Sequence, residues 1–192
     1  MINLAYLISQ FFHPLVVEIT TFTILNLTFA GIFVDYKILF ISILPGISVL
    51  ATAIYLKKIG TLSDYNGIIR QERLSLISFG VIYHGIGFLL LRYLDAAPII
   101  QGLMFCYSLN TGFVWIITTK WKISIHLIGL GGPLAALWLN GAQYPIIMFT
   151  FIFLLCYSRL ILKAHTPMQV IIGSLFSISF TYFQLKYLFL YL

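Results

Sequence analysis

The sequence predicts an all-α, polytopic transmembrane helix bundle of about six to seven spans, a single transmembrane domain over residues 1–192, and three observations predict it. Hydrophobic residues make up 61% of the chain and charged residues only 8%, against about 25% charged in soluble domains. Seven apolar runs, each near the ~20 residues that a bilayer crossing needs, follow one another with short connections. The runs are continuous and do not alternate in the ~10-residue segments of a membrane barrel. In hydrocarbon every backbone group needs an internal partner, which a helix supplies.

The first run, Phe12–Phe33, follows a stretch without Lys or Arg. It therefore reads as a span and not as a cleaved signal, which would carry a basic leading region. Near its start lie His13-Pro14 and Glu18. An ionisable group within a span is a functional candidate, or else the partner of a nearby Lys. The second run, Ile38–Leu56, ends at Lys57 and Lys58, which read as interfacial anchors, as does Lys163. A polar loop precedes the third run, Leu74–Leu91, in which His84 lies mid-span and is expected to hydrogen-bond between helices. Ala97–Thr118 and Ile123–Leu139 flank Lys120-Trp121-Lys122. Gly129, Gly131 and Gly132 signal close helix contact, since no strand precedes them and no Lys-Ser/Thr follows, as a phosphate loop would require. The last runs are Tyr144–Leu162 and Met168–Leu190; Thr166-Pro167 is a helix start, with Thr as cap and Pro at the first helical position. Cys106 and Cys156 fall inside apolar runs and read as packing residues.

Alternating the spans sorts the connections onto two faces. One face receives Lys57, Lys58, Arg70, Arg73, Lys120, Lys122, Arg159 and Lys163, eight of the eleven basic residues. Cytoplasmic loops collect such charge, and so does a site for a phosphorylated ligand, so the bias marks a face without naming its side. The net charge of +6 points to anionic lipid or phosphate. With no long basic run or soluble basic face, no nucleic-acid partner is expected.

Three segments bring polar groups to the basic face: Ser63–Arg73, Lys120–His126, and Ser158-Arg159 with His165 and Gln169. Helix starts in the same plane favour an anion through free N–H groups and the dipole. Asp64 and Glu72 are expected to orient the arginines of their own loop.

These residues resemble the three-part signature of the type 2 phosphatidic acid phosphatase family, membrane enzymes that share an active-site design with vanadium haloperoxidases. The third part, Ser-Arg, five residues, His, three residues, Asp, is matched by Ser158, Arg159 and His165, with Gln169 in place of Asp. The second, Pro-Ser-Gly-His, keeps Ser124 and His126 but has Ile123 and Ile125 for Pro and Gly. In the first, Lys, six residues, then Arg-Pro, Arg73 is followed by Leu74 and Asn66 holds the Lys position. The resemblance runs from Asp64 to Gln169, and its third part is the most specific.

The resemblance implies a membrane-embedded lipid phosphate or diphosphate phosphatase in a bacterial inner (cytoplasmic) membrane, with no metal or other cofactor. His165 would be the nucleophile that becomes a phosphohistidine, and His126 the general acid. Arg159, Arg73, Arg70, Lys122 and Ser124 would hold the phosphoryl oxygens, the arginines through their planar fork of donors. Gln169 would take the place of an Asp that orients the nucleophile; it accepts the same hydrogen bond but supplies no charge. The alternative is a non-catalytic subunit of a larger membrane complex that binds a phospholipid headgroup in a degenerate phosphatase pocket. Homo-oligomerisation stays open.

Overall fold

A computed structural model describes residues 1–29, 34–63 and 70–191, except for the side chain of Arg70. Among them every regular element is helical: α1 (Ile2–Phe11), α2 (Pro14–Phe29), α3 (Tyr36–Lys58), α4 (Arg70–Tyr93), α5 (Pro98–Lys120), α6 (Ile125–Leu139), α7 (Pro145–Ile161) and α8 (Pro167–Leu185), which runs on into a π-helical turn (Lys186–Leu190). The chemistry of the helix starts is local. Pro14, Pro98, Pro145 and Pro167 open α2, α5, α7 and α8, where a missing N–H costs nothing. Asp35 caps α3 by accepting the Lys37 N–H at 2.9 Å.

The first span differs from expectation. The helix begins at Ile2, not Phe12, and breaks at Phe12-His13 so that α1 and α2 meet at a bend of 40°. Pro14 is the cause, because its ring clashes with a preceding helical turn and disfavours helical backbone at the residue before it.

Among the described residues four helices are long and apolar enough to cross a membrane, or five if the bent α1–α2 pair counts as one span. Among the expected seven runs, α6 and α7 form shorter apolar helices of 15 and 17 residues. At 1.5 Å per residue they rise roughly 22 and 25 Å, short of a ~30 Å hydrocarbon core. A cap at Ser124 and a turn at Gly141 (φ 96°) set the ends of α6, while Tyr144-Pro145 and the turn at Lys163 (φ 50°) bound α7.

Packing is closest between α4 and α5 and between α6 and α8. The glycines of α6 make the second contact: a Cβ on Gly131 would collide with Ser177, and one on Gly132 would press on Thr181. Gly129 takes Pro14 of α2 in the same way. Away from the basic face the core is built from Phe22, Leu25, Leu91, Leu103, Met104 and Leu185. Below the polar cluster it is built from Phe12, Leu127, Leu130, Leu155 and Val170. Large side chains such as Phe40, Ile146 and Phe149 point outward, as lipid contact requires.

One polar crosslink ties the interior together. Glu18 of α2 pairs with His84 of α4 at 3.2 Å, so its partner is a histidine and not a lysine. Gly46 of α3 leaves room for the carboxylate, and Tyr107 of α5 stacks on the imidazole at 5.0 Å. The other ring nitrogen of His84, Nδ1, lies 2.7 Å from the Gly80 carbonyl. That carbonyl can only accept, so Nδ1 carries a proton. A single further proton then satisfies the Glu18–His84 hydrogen bond, whichever partner holds it.

Candidate functional site

The C-terminal turn of α7 ends in Ser158 and Arg159, both buried. A cation is favoured there by the helix dipole. Arg159 donates through Nη1 to Ser9 Oγ on α1 at 2.6 Å, and Ser158 Oγ donates to the Ala5 carbonyl at 2.5 Å. Thus α1 lies over the end of α7, and Ser9 holds the guanidinium in place. Arg159 Nε has no hydrogen-bond partner among the described residues.

The chain then turns through Lys163 in the left-handed region (φ 50°) and reaches His165, which is only 8% exposed. Thr166 caps α8 as expected, but the cap has a second half. Gln169 Oε1 accepts the Thr166 N–H at 3.2 Å while Thr166 Oγ1 accepts the Gln169 N–H at 3.4 Å, a reciprocal capping box. The same Oε1 lies 3.1 Å from His165 Nδ1. Since the Thr166 N–H identifies that atom as the amide oxygen, His165 must donate from Nδ1. In the neutral ring Nε2 is then left with its lone pair. One Gln169 oxygen therefore fixes the His165 tautomer and holds the helix start as well.

Burial pushes the His165 imidazole down to about 3, opposed by the Gln169 hydrogen bond and reinforced by Arg73, Arg159 and Lys122. At neutral pH the ring is uncharged and its free nitrogen is available.

The other segments close around it. Arg73, in the first turn of α4, is 4% exposed and donates through Nη1 to the Ile123 carbonyl at 3.1 Å. That bond ties α4 to the connection that leads into α6. Lys122 on this connection is half-buried, and burial, together with the charges of Arg73 and Arg159, holds its ammonium below the ordinary range. Ser124, at the cap position of α6, is fully buried, yet its hydroxyl has no partner among the described residues. His126 is buried in the first turn of the same helix, where Arg159, His13, His165 and Arg73 are the ionisable groups that act on it.

Of the residues singled out in the sequence, His165, His126, Gln169, Arg159, Arg73, Lys122 and Ser124 thus gather at one end of the bundle. The side chain of Arg70 lies outside the described residues, as do Asp64 and Asn66. Glu72 accepts from the Ser63 N–H and hydroxyl, both at 2.8 Å. Lys58 and Lys163 are exposed, as anchors would be.

Two residues enter the cluster from a segment that the signature does not include. Ser9 reaches Arg159, and the His13 ring stands edge-on to His126 with centroids 5.6 Å apart at 88°. The usable signal was His13-Pro14, a helix break beside an imidazole. No protein-family model, curated protein or solved structure matches this chain.

Proposed function

We propose that the chain is a membrane-embedded phosphatase acting on a lipid phosphate or diphosphate through a phosphohistidine on His165, in a bacterial cytoplasmic membrane. The observation that carries this reading is the Nδ1–H of His165 bonded to Gln169. It turns an unprotonated Nε2 into a buried site surrounded by Arg73, Arg159 and Lys122. A lone pair beside three cations suits attack on an anionic phosphoryl group, because the cations neutralise the charge that would repel the nucleophile.

In the proposed reaction the Nε2 lone pair forms an N–P bond in line with the departing ester oxygen. The O–P bond breaks, and the alkoxide takes a proton from His126, whose imidazolium form the negative charge of the bound phosphate favours. Water then attacks phosphorus, His126 takes its proton, the N–P bond breaks and inorganic phosphate leaves. Arg73, Arg159 and Lys122 hold the equatorial oxygens, and the unpartnered Ser124 hydroxyl and Arg159 Nε offer two more donors. In this reading α6 and α7 cross the bilayer as short spans, seven crossings in all. The site then sits slightly below the membrane surface, where a headgroup can enter and a lipid tail stays in hydrocarbon.

The test is phosphate release by purified protein, without added metal, from phosphatidate, phosphatidylglycerophosphate and polyprenyl diphosphate. Release is expected from at least one lipid. His165→Ala is expected to abolish it, while Lys37→Ala at the opposite end leaves it intact. Folded wild type that releases nothing across the panel, yet binds these lipids, would establish the headgroup-binding subunit instead.

A further inference from the structure

His13 is fixed by the break that precedes α2. Pro14 has no N–H, so the first donor of α2 is the Leu15 N–H, and His13 Nδ1 accepts it at 3.3 Å. An amide can only donate, so Nδ1 presents its lone pair and the neutral ring carries its proton on Nε2. The imidazole caps its own helix with one nitrogen and is left with a donor on the other.

That donor belongs to the side of the chain that faces the cluster. Ser9 and His13 are four residues apart; Ser9 bonds Arg159, and the His13 ring meets His126 edge to face. Arg159 is the charged group that acts on His13. Nearby, the Ser124 hydroxyl and Arg159 Nε are buried polar atoms without partners among the described residues. A buried donor left unsatisfied is unfavourable, and an oxyanion would satisfy several of them at once.

We infer that His13 is a further anion-binding residue: its Nε2–H donates to an oxygen of a tetrahedral phosphate group held between His126 and His165. This inference rests on the phosphate-site reading given above. It adds a fourth segment to the three that the sequence signature supplies. It also gives the α1–α2 break a role, since the residue that caps α2 delivers the donor beside the helix that covers Arg159. The ligand class is a phosphate dianion, and a neutral imidazole contributes direction to its binding without adding charge.

Isothermal titration of inorganic phosphate into the full-length protein in detergent micelles tests this. His13→Phe keeps a ring against His126 but removes the donor, and should weaken binding roughly 10- to 100-fold, the worth of a hydrogen bond to a charged group. His13→Gln places an amide N–H near the Nε2 position and should stay within about threefold of wild type, since it keeps that bond. Phosphate binding to His13→Phe equal to wild type, or His13→Gln as weak as His13→Phe, overturns the inference. A second measurement avoids any folding defect. In histidine-labelled wild type, the His13 Nε2 proton should move downfield as phosphate is added, and an unmoved resonance overturns the inference. Folded wild type that binds no phosphate would remove the phosphate site altogether. Binding that persists without His13 would remove only this residue from it.

Discussion

Replacing Gln169 by Glu isolates what a charge at this position would add. The side chain keeps its length, so one carboxylate oxygen still reaches the Thr166 N–H and His165 Nδ1, now 3.2 and 3.1 Å from the amide oxygen. Two unit charges 4 Å apart at an effective dielectric of about 20 interact by about 4 kcal/mol. At 1.36 kcal/mol per tenfold in proton affinity, that carries the His165 midpoint from about 3 toward about 6. The sign follows from the carboxylate favouring imidazolium. In wild type the unfolded chain protonates this ring near 6.5 and the folded chain near 3, so His165 contributes stability that is full above 6.5 and is lost as pH falls toward 3. In Gln169→Glu most of that acid-side loss should disappear. Histidine-detected NMR in micelles reads the midpoint and the Nδ1–H tautomer directly. Gln169→Asp is the control: one methylene shorter, it cannot hold the cap and the ring together. Little change in its midpoint is expected, together with a loss of about 1 kcal/mol of helix-start stability. Phosphate release, if rate-limited by attack, should rise with Glu and not with Asp. The upper bound is the roughly 10⁴ that an orienting carboxylate is worth in serine proteases. An unshifted His165 in Gln169→Glu, or a larger shift in Gln169→Asp, would refute the shared-oxygen geometry.

Two further outcomes follow from the interior crosslink and the topology. Because His84 Nδ1 is committed to the Gly80 carbonyl, Glu18→Gln can donate an amide N–H to His84 Nε2 and should unfold within about 1 kcal/mol of wild type, whereas Glu18→Leu strands a buried ring nitrogen and should lose about 1–3 kcal/mol; equal losses in a denaturant titration would count against the tautomer assignment. Cysteines placed at positions 61 and 121 should label from the same side of intact cells and one at 142 from the other, and opposite labelling of 61 and 121 would separate the segments that make the site.

Much of the site was legible because its spacing is local. Ser158, Arg159, His165 and Gln169 lie across a helix end, a turn and a helix start, where sequence separation nearly sets spatial separation. Thr166-Pro167 announced that start, and Thr166 with Gln169 three residues on is itself a capping-box pattern. The glycines of α6 marked a close contact before its partner was known. Span limits were less legible. Apolar windows run through Ile2–Phe11 and across the Pro14 break without a change in composition, since lipid and packed helices reward the same side chains.

Composition and run length by themselves determined a helical membrane chain, because hydrocarbon leaves a backbone no other way to pair its polar groups. Read as runs that reverse direction in turn, they also pointed to the basic residues expected to share one end. Only the tertiary structure decided the pairings: Glu18 with His84, Ser9 with Arg159, Arg73 with the Ile123 carbonyl and His13 beside His126. Each joins helices distant in sequence. A sequence records that a buried polar group needs a partner; which partner it meets depends on helix rotation and tilt, and these are set by the shapes of many packed side chains at once.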